Sequence, residues 1–256
     1  MNRLKLVILL IFAFSIRLSA QNVVHLCIGD NHNFGVPDNP TSFFDWSISD
    51  PSLATIDSGN GTHHILIDLN NTGVFQLLVE EIDANGCSGY DSILVEIHNL
   101  PNPNIFAIGP TSFCEGDSVR LQVDSIYVSN IWTPTGDTLI YTFGDTSGIY
   151  SINVTDTNGC SNNSNSIYVD AHPNPLADFI VDGVCVNSPT TFIDQSSITS
   201  DSIVTKIWYL GNGIIRYGDS TTNTYSTIGD YYAKILVISD FGCKDSITKL
   251  FSIFGN

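Results

Sequence analysis

Residues 73–87 read GVFQLLVEEIDANGC, residues 148–160 read GIYSINVTDTNGC, and residues 229–243 read GDYYAKILVISDFGC. Each stretch opens on Gly-x-aromatic, alternates apolar and polar residues, and closes on Gly-Cys. Alternation with a period of two puts every second side chain on one face, which predicts a half-buried β-strand. The Asp-Ala-Asn-Gly, Asp-Thr-Asn-Gly and Asp-Phe-Gly segments that follow are turn chemistry. After each turn comes a second strand-like run: DSILVEI at 91–97, SIYV at 166–169 and DSITKLFSI at 245–253. The three stretches therefore predict three hairpins of one kind.

Upstream of each hairpin the same landmarks recur in the same order. A first cysteine sits in Leu26-Cys27-Ile28-Gly29-Asp30, in Phe113-Cys114-Glu115-Gly116-Asp117 and in Val184-Cys185-Val186-Asn187-Ser188. One tryptophan follows each, Trp46, Trp132 and Trp208, at 19, 18 and 23 residues. From the Gly-x-aromatic glycine to the second cysteine (Cys87, Cys160, Cys243) is 14, 12 and 14 residues. Landmarks repeating in one order at this scale mean an array of modules. Leu100-Pro101-Asn102-Pro103 and His172-Pro173-Asn174-Pro175 separate the copies, because a residue before proline is pushed towards extended or turn backbone. The expected division is 1–20, 21–99, 100–172 and 173–256. No stretch holds a 3.6-residue apolar period over ten or more residues, so the expected fold class is all-β, three tandem sandwich domains.

Residues 1–20 read as a secretory signal peptide. Arg3 and Lys5 precede a short apolar run, LVILLIFAF at 6–14, and Ala20 offers a cut before Gln21. The run is too short to span a bilayer, and no later segment approaches one, so no transmembrane segment is expected after cleavage. Loss of Arg3, Lys5 and Arg17 leaves 6 of the 9 Lys+Arg against 26 Asp+Glu, a net charge of −20. Nucleic acid and anionic membrane are thereby excluded as partners, since both need a positive surface. The same acidity implies at most a weak association with Ca2+, because no calcium-loop motif is present.

Catalytic and metal patterns are missing from the sequence. Gly116-Asp117-Ser118 and Gly218-Asp219-Ser220 resemble the start of an esterase motif, but such a serine needs the strand-to-helix turn of an α/β sheet. They read as turns entering strands. His25, His32, His63, His64, His98 and His172 form no His-x-His or His-Glu-x-x-His, and His63 and His64 point to opposite faces of a strand. They read as scattered surface histidines. No catalytic residue, cofactor or metal site is expected.

The third copy resembles a PKD domain. The residues that carry the likeness are Val184-Cys185, Thr191 to Ser197 (TFIDQSS), Ile207 to Gly213 (IWYLGNG), Thr224-Tyr225, Gly229 to Tyr232 and Phe241-Gly242-Cys243. The family hallmark is a tryptophan followed by Gly-Asp-Gly, and here Asn212 stands in the aspartate's place. The first two copies share the frame and look like the divergent immunoglobulin-like repeats found beside PKD domains. The Gly242-Cys243-Lys244-Asp245-Ser246-Ile247 ending and the signal peptide are similar to those of exported Bacteroidetes proteins. The resemblance implies a non-catalytic protein, secreted or on the outer-membrane surface, with the periplasm as the other compartment. Its partner would be a protein or glycan at the cell surface. Two alternatives stay open: an accessory subunit of a type IX secretion or gliding machinery, and the binding arm of an exported hydrolase. The sorting domain that many such proteins carry is not found before Phe254-Gly255-Asn256.

Within that frame, Trp46, Trp132 and Trp208 match the buried tryptophan of a sandwich and are expected in the core. Phe43, Phe44, Tyr209, Tyr217 and Tyr232 are the aromatics free for ligand contact if exposed. All six cysteines are disulfide candidates in an oxidising compartment. Pairing within each copy is the simplest of fifteen connectivities. Yet the two cysteines of a copy can lie a strand length apart, about 17–20 Å, against the roughly 7 Å a bridge tolerates. Bridges between copies are the alternative. Asp-Ser or Asp-Thr before an aliphatic residue recurs, and the resemblance makes Ser92, Ser118, Ser125, Thr138, Ser202 and Ser246 candidate O-glycosylation acceptors. The competing reading is that turns end in Asp-Ser where strands begin.

Overall fold

A computed structural model describes residues 22–255, and the predicted signal segment 1–20 lies outside them. The described residues contain no helix. The first seven strands are β1 (Val23–Cys27), β2 (Asn31–Gly35), β3 (Phe43–Ile48), β4 (Ala54–Ser58), β5 (His64–Leu69), β6 (Gly73–Ile82) and β7 (Ser88–His98). They form one sheet in the order β1-β7-β6-β3 and another in the order β2-β5-β4. The next eight are β8 (Ile105–Ile108), β9 (Ser112–Cys114), β10 (Val119–Val123), β11 (Ser129–Thr133), β12 (Tyr141–Gly144), β13 (Gly148–Thr155), β14 (Ser161–Asn163) and β15 (Ile167–His172). Their sheets run β12-β10-β8 and β11-β13-β15-β9, with β14 pairing β13. The last seven are β16 (Phe179–Asp182), β17 (Pro189–Asp194), β18 (Ile203–Tyr209), β19 (Ile215–Tyr217), β20 (Ser220–Thr224), β21 (Gly229–Ser239) and β22 (Lys244–Ile253). They make β16-β17-β20 and β19-β18-β21-β22. The strand orders are immunoglobulin-like: a sheet built around the long hairpin is completed by a sheet of the intervening strands. The chain is all-β, in tandem immunoglobulin-like sandwiches.

The chain divides into two compact units. One holds residues 22–104, 125–131 and 152–164, and the other holds 105–124, 132–151 and the stretch from residue 165 onward. In the first unit a core cluster gathers Phe44, Trp46, Ile65, Ile67, Phe75, Leu77, Val95 and Ile97. In the second, a cluster gathers Phe179, Phe192, Trp208, Leu210, Tyr225, Ile235, Val237 and Phe251. Alternation decides this. On β6 the odd-numbered Phe75, Leu77 and Val79 are buried, and on β21 the odd-numbered Ala233, Ile235 and Val237 are. Each fully buried leucine, isoleucine or phenylalanine contributes about 1.5–3 kcal/mol by leaving water.

The three Gly-Cys turns are built alike. Gly86, Gly159 and Gly242 have φ of 81°, 85° and 85°, a left-handed conformation that glycine adopts without steric cost. Each donates its N–H to the residue three before it, Asp83, Asp156 or Ser239. The same three residues use a side-chain oxygen to accept the N–H of Cys87, Cys160 or Cys243. At Asp83 the backbone N–H of Cys87, then that of Asn85, holds the carboxyl below the usual carboxylate range. A short oxygen-bearing side chain four residues before the cysteine is therefore part of the repeat, beside the glycine.

Candidate binding face

The three tryptophans lie in the core, 5, 1 and 0 % exposed for Trp46, Trp132 and Trp208. Each indole N–H donates to a backbone carbonyl at 2.9 Å, of Thr62, Leu139 and Gly218 respectively. A buried donor without a partner costs about 1–3 kcal/mol, so these bonds are what lets the rings sit inside. Phe44, counted among the aromatics free for contact, is only 2 % exposed. It is a correction with a simple cause: on β3 Phe44 and Trp46 are two apart and share the inner face, which leaves Phe43, 54 % exposed, pointing out.

The cysteines pair out of step with the repeat. Within the first unit Cys27 bonds Cys160, and within the second Cys114 bonds Cys243, with Cα atoms 5.6 and 5.5 Å apart. The first cysteine of one copy thus joins the second cysteine of the next. Cys87 and Cys185, two of the six disulfide candidates, are exposed free thiols instead, and pairing within each copy is overturned. Around the second bridge, His172 stacks on Phe241 with ring centroids 3.6 Å apart, and its Nδ1 lies 3.3 Å from an Asp201 carboxylate oxygen. The Asn174 amide donates to the Glu115 carbonyl at 2.7 Å. Of the candidate glycosylation acceptors, Ser118, Ser125, Thr138, Ser202 and Ser246 are exposed and Ser92 is half-buried. Ser92 accepts a hydrogen bond from the Gln76 amide at 2.8 Å.

Three of the aromatics expected to be free for contact, Tyr209, Tyr217 and Tyr232, lie on the outer face of the sheet β19-β18-β21-β22. Trp208 on β18 points inward, so Ile207 and Tyr209 point outward. Pairing is antiparallel, and residues directly opposite share a face. Tyr217 stands opposite Ile207, Ile215 opposite Tyr209, and Lys234 opposite Tyr209 on the other side. Tyr232 stands two residues before Lys234 and opposite Leu250 on β22. Tyr217, Tyr209 and Tyr232 therefore form a diagonal row across three strands. Diagonal neighbours in such a sheet are about 7–8 Å apart. The tyrosines are 70, 38 and 64 % exposed, and the flanking Ile215 and Leu250 are 47 and 55 % exposed.

Local structure sets the surroundings of this row. Gly211, just past the end of β18, has φ of 76°, and a Cβ there would meet the Tyr232 carbonyl at 2.6 Å. The glycine lets the β18 chain turn away beside Tyr232. Behind the row, the Tyr225 hydroxyl donates to the Leu210 carbonyl at 2.6 Å, and burial pushes its pKa up. The Lys206 ammonium reaches Asp194 at 2.6 Å and Asp219 at 2.7 Å. Burial opposes the charge on Asp194, yet the hydrogen bonds from Lys206 and Ser196 outweigh it, and the carboxyl lies below its ordinary range. Burial likewise opposes the charge on Lys206, and its two carboxylates outweigh that and raise its pKa. A cavity beside the row, lined by Ile203 to Lys206 and Tyr217 to Asp219, measures about 220 Å³. Pockets that enclose a small molecule run to about 300–1,000 Å³. This face is suited to an extended surface ligand rather than an enclosed one.

No protein-family model and no curated protein sequence matches the chain. Among solved structures it is similar to the PKD1 domain of the Vibrio cholerae metalloprotease PrtV, at 24 % identity and a TM-score of 0.30, over 31 % of this chain and 96 % of that one. It is also similar to SGBP-B of a Bacteroides ovatus mixed-linkage glucan utilization locus, solved with a mixed-linkage heptasaccharide. That likeness has 15 % identity and a TM-score of 0.26, over 95 % of this chain and 68 % of that one. A third similar structure is the N-terminal eight Ig domains of Down Syndrome Cell Adhesion Molecule, at 10 % identity and a TM-score of 0.43, over 93 % of this chain and 36 % of that one. At these scores the likenesses add nothing to what the sheet topology shows. Among the described residues no helix is long and apolar enough to cross a membrane.

Proposed function

We propose that the chain is an exported, non-catalytic binding protein of the Bacteroidetes surface type, with three modules at 21–99, 100–172 and 173–256. In this reading the last module carries the ligand face, and the ligand is a glycan or protein met at the cell surface. The observation that carries it is the diagonal row of exposed tyrosines on the open β19-β18-β21-β22 sheet. Tyrosine offers a large apolar ring and a polar tip at low entropy cost, and such rings are enriched where surfaces bind. The oxidising compartment is supported by the two disulfides, since such bonds persist outside the cytosol. No cofactor is part of this reading.

The test is a screen of the full chain, without residues 1–20, on glycan arrays and on cell-surface protein preparations. The triple variant Tyr209→Ala, Tyr217→Ala, Tyr232→Ala is screened beside it. Whichever array retains the wild type should lose the variant while its thermal unfolding midpoint stays within a few degrees. Equal retention of both proteins would move the binding face elsewhere on the molecule.

A further inference from the structure

A second site lies on the first unit, in residues the sequence presents as scattered. We infer that His25, Glu96 and His98 form a binding site for a late first-row divalent cation, zinc above all. The three donor atoms all lie within 4.8 Å of one another, the one such group of three among the described residues. His25 Nδ1 is 2.9 Å from His98 Nε2 and 3.4 Å from Glu96 Oε2, and His98 Nε2 is 4.0 Å from that oxygen. The donors of a tetrahedral zinc with bonds of about 2.0–2.1 Å stand about 3.3 Å apart. The three edges straddle that value, so shifts of a few tenths of an ångström would seat the ion.

The strand pairing assembles the site. β1 and β7 run parallel, with His25 beside Glu96 and Cys27 beside His98. Val24, Leu26, Val95 and Ile97 take the inner face against the core. His25, Glu96 and His98 are therefore left together on the outer face. β1 is the edge strand of its sheet, and the His25 side chain is 51 % exposed, which gives an ion an entry path. The Cys27–Cys160 bond anchors β1 two residues away, so the backbone of the site is held before any ion arrives.

Donor chemistry selects the cation. Two imidazole nitrogens and one carboxylate match the three-ligand His2Glu set of open zinc sites, with a fourth position left for water. Calcium and magnesium take oxygen ligands, and nitrogen donors exclude them as preferred occupants. The facing nitrogens of His25 and His98 can hold only one hydrogen between them at 2.9 Å. One ring thus already turns a lone pair into the gap, and a shift of tautomer frees the other. The chain's net charge of −17 raises the local concentration of any cation.

The experiment titrates Zn2+ into the full chain by calorimetry, with Cys87 and Cys185 first alkylated so that thiols do not compete. One ion per chain is expected. Removing even an outer-shell partner costs roughly 10–100-fold in metal affinity, so loss of a ligand should cost at least that. His25→Ala and His98→Ala should each weaken binding about 100-fold and Glu96→Gln about tenfold, while His63→Ala and His64→Ala leave it unchanged. Co2+ should give a visible d–d spectrum in the wild type that His25→Ala lacks. If His98→Ala unfolds, the exposed His25 and Glu96 variants carry the test, judged by an unchanged unfolding midpoint in chelator. Absence of stoichiometric Zn2+ binding, or binding that survives His25→Ala and Glu96→Gln unaltered, would overturn the assignment.

Discussion

The sheets β1-β7-β6-β3 and β19-β18-β21-β22 are built on the same long hairpin, and their inner faces follow one rule. Phe75, Leu77 and Val79 on β6 do what Ala233, Ile235 and Val237 do on β21. Their outer faces differ. The first presents Asp45, Glu80, Glu96, His25 and His98 around a few apolar side chains, and the Tyr90 hydroxyl there is taken up by Glu80 at 2.6 Å. The second presents Tyr209, Tyr217 and Tyr232 with aliphatic neighbours and Lys234. Core packing constrains every second residue of a strand and leaves the others free. The repeated residues accordingly specify the sandwich, and the unrepeated ones make one outer face rich in histidine and carboxylate and the other rich in tyrosine.

The comparison can be broken first at its common part. Trp208→Ala should cost about 3–5 kcal/mol in the second unit, and Trp46→Ala about as much in the first, because both leave a cavity and an unpaired carbonyl. Hydrogen exchange of the β18 and β3 amides would report each separately. Equal loss of protection in both units from either variant would contradict two separate cores. Next comes the bridge. Cys114→Ser should destabilise the second unit by about 2–5 kcal/mol, since the bond closes a span of 129 residues. Under denaturing, non-reducing conditions the wild type should take two alkyl groups and the variant three. Any other count for the wild type would refute the bridges seen here.

The outer faces come next. Tyr209→Ala, at the centre of the row, should weaken ligand binding tenfold or more, about 1.4 kcal/mol. Tyr90→Ala on the first unit should leave it unchanged, and equal effects would erase the distinction between the faces. The smallest effect concerns charge. Asp194 has its carboxyl pKa depressed in the fold. It therefore contributes stability that is present above the ordinary carboxylate range and lost as pH falls through its lower folded value. Lys206→Met should cost about 1 kcal/mol at pH 7 and flatten the acid limb of stability measured on the second unit. An acid limb as steep as the wild type's would assign that loss to other carboxylates.

Much of this was legible in the chain. Period-two alternation, one tryptophan per copy and the Gly-Cys turns are local patterns, and local patterns survive in a linear text. The residues 73–87, 148–160 and 229–243 spell their hairpins because strand and turn chemistry act over a few positions. The tyrosine row was half legible: Tyr209, Tyr217 and Tyr232 could be named as free aromatics, but their alignment needs the registers of β18 with β19 and β21. Phe44 was misplaced although its position was legible: it lies two residues before Trp46, and alternation along one strand puts both on the inner face. Bridges between copies were legible only as the alternative to pairing within each copy, and the His25–Glu96–His98 cluster was hidden altogether. Their members lie 129 and 133 residues apart in the bridges, and His25 lies 73 residues from His98.

Sequence alone determined that this protein is all-β, acidic and modular, since alternation, charge and repetition are properties of the order of residues. The tertiary structure decided which cysteines meet, which aromatics line up and which histidines share a carboxylate. Those depend on strand register and on parallel pairing between the first and last strands of a sandwich, and no residue-by-residue preference encodes either.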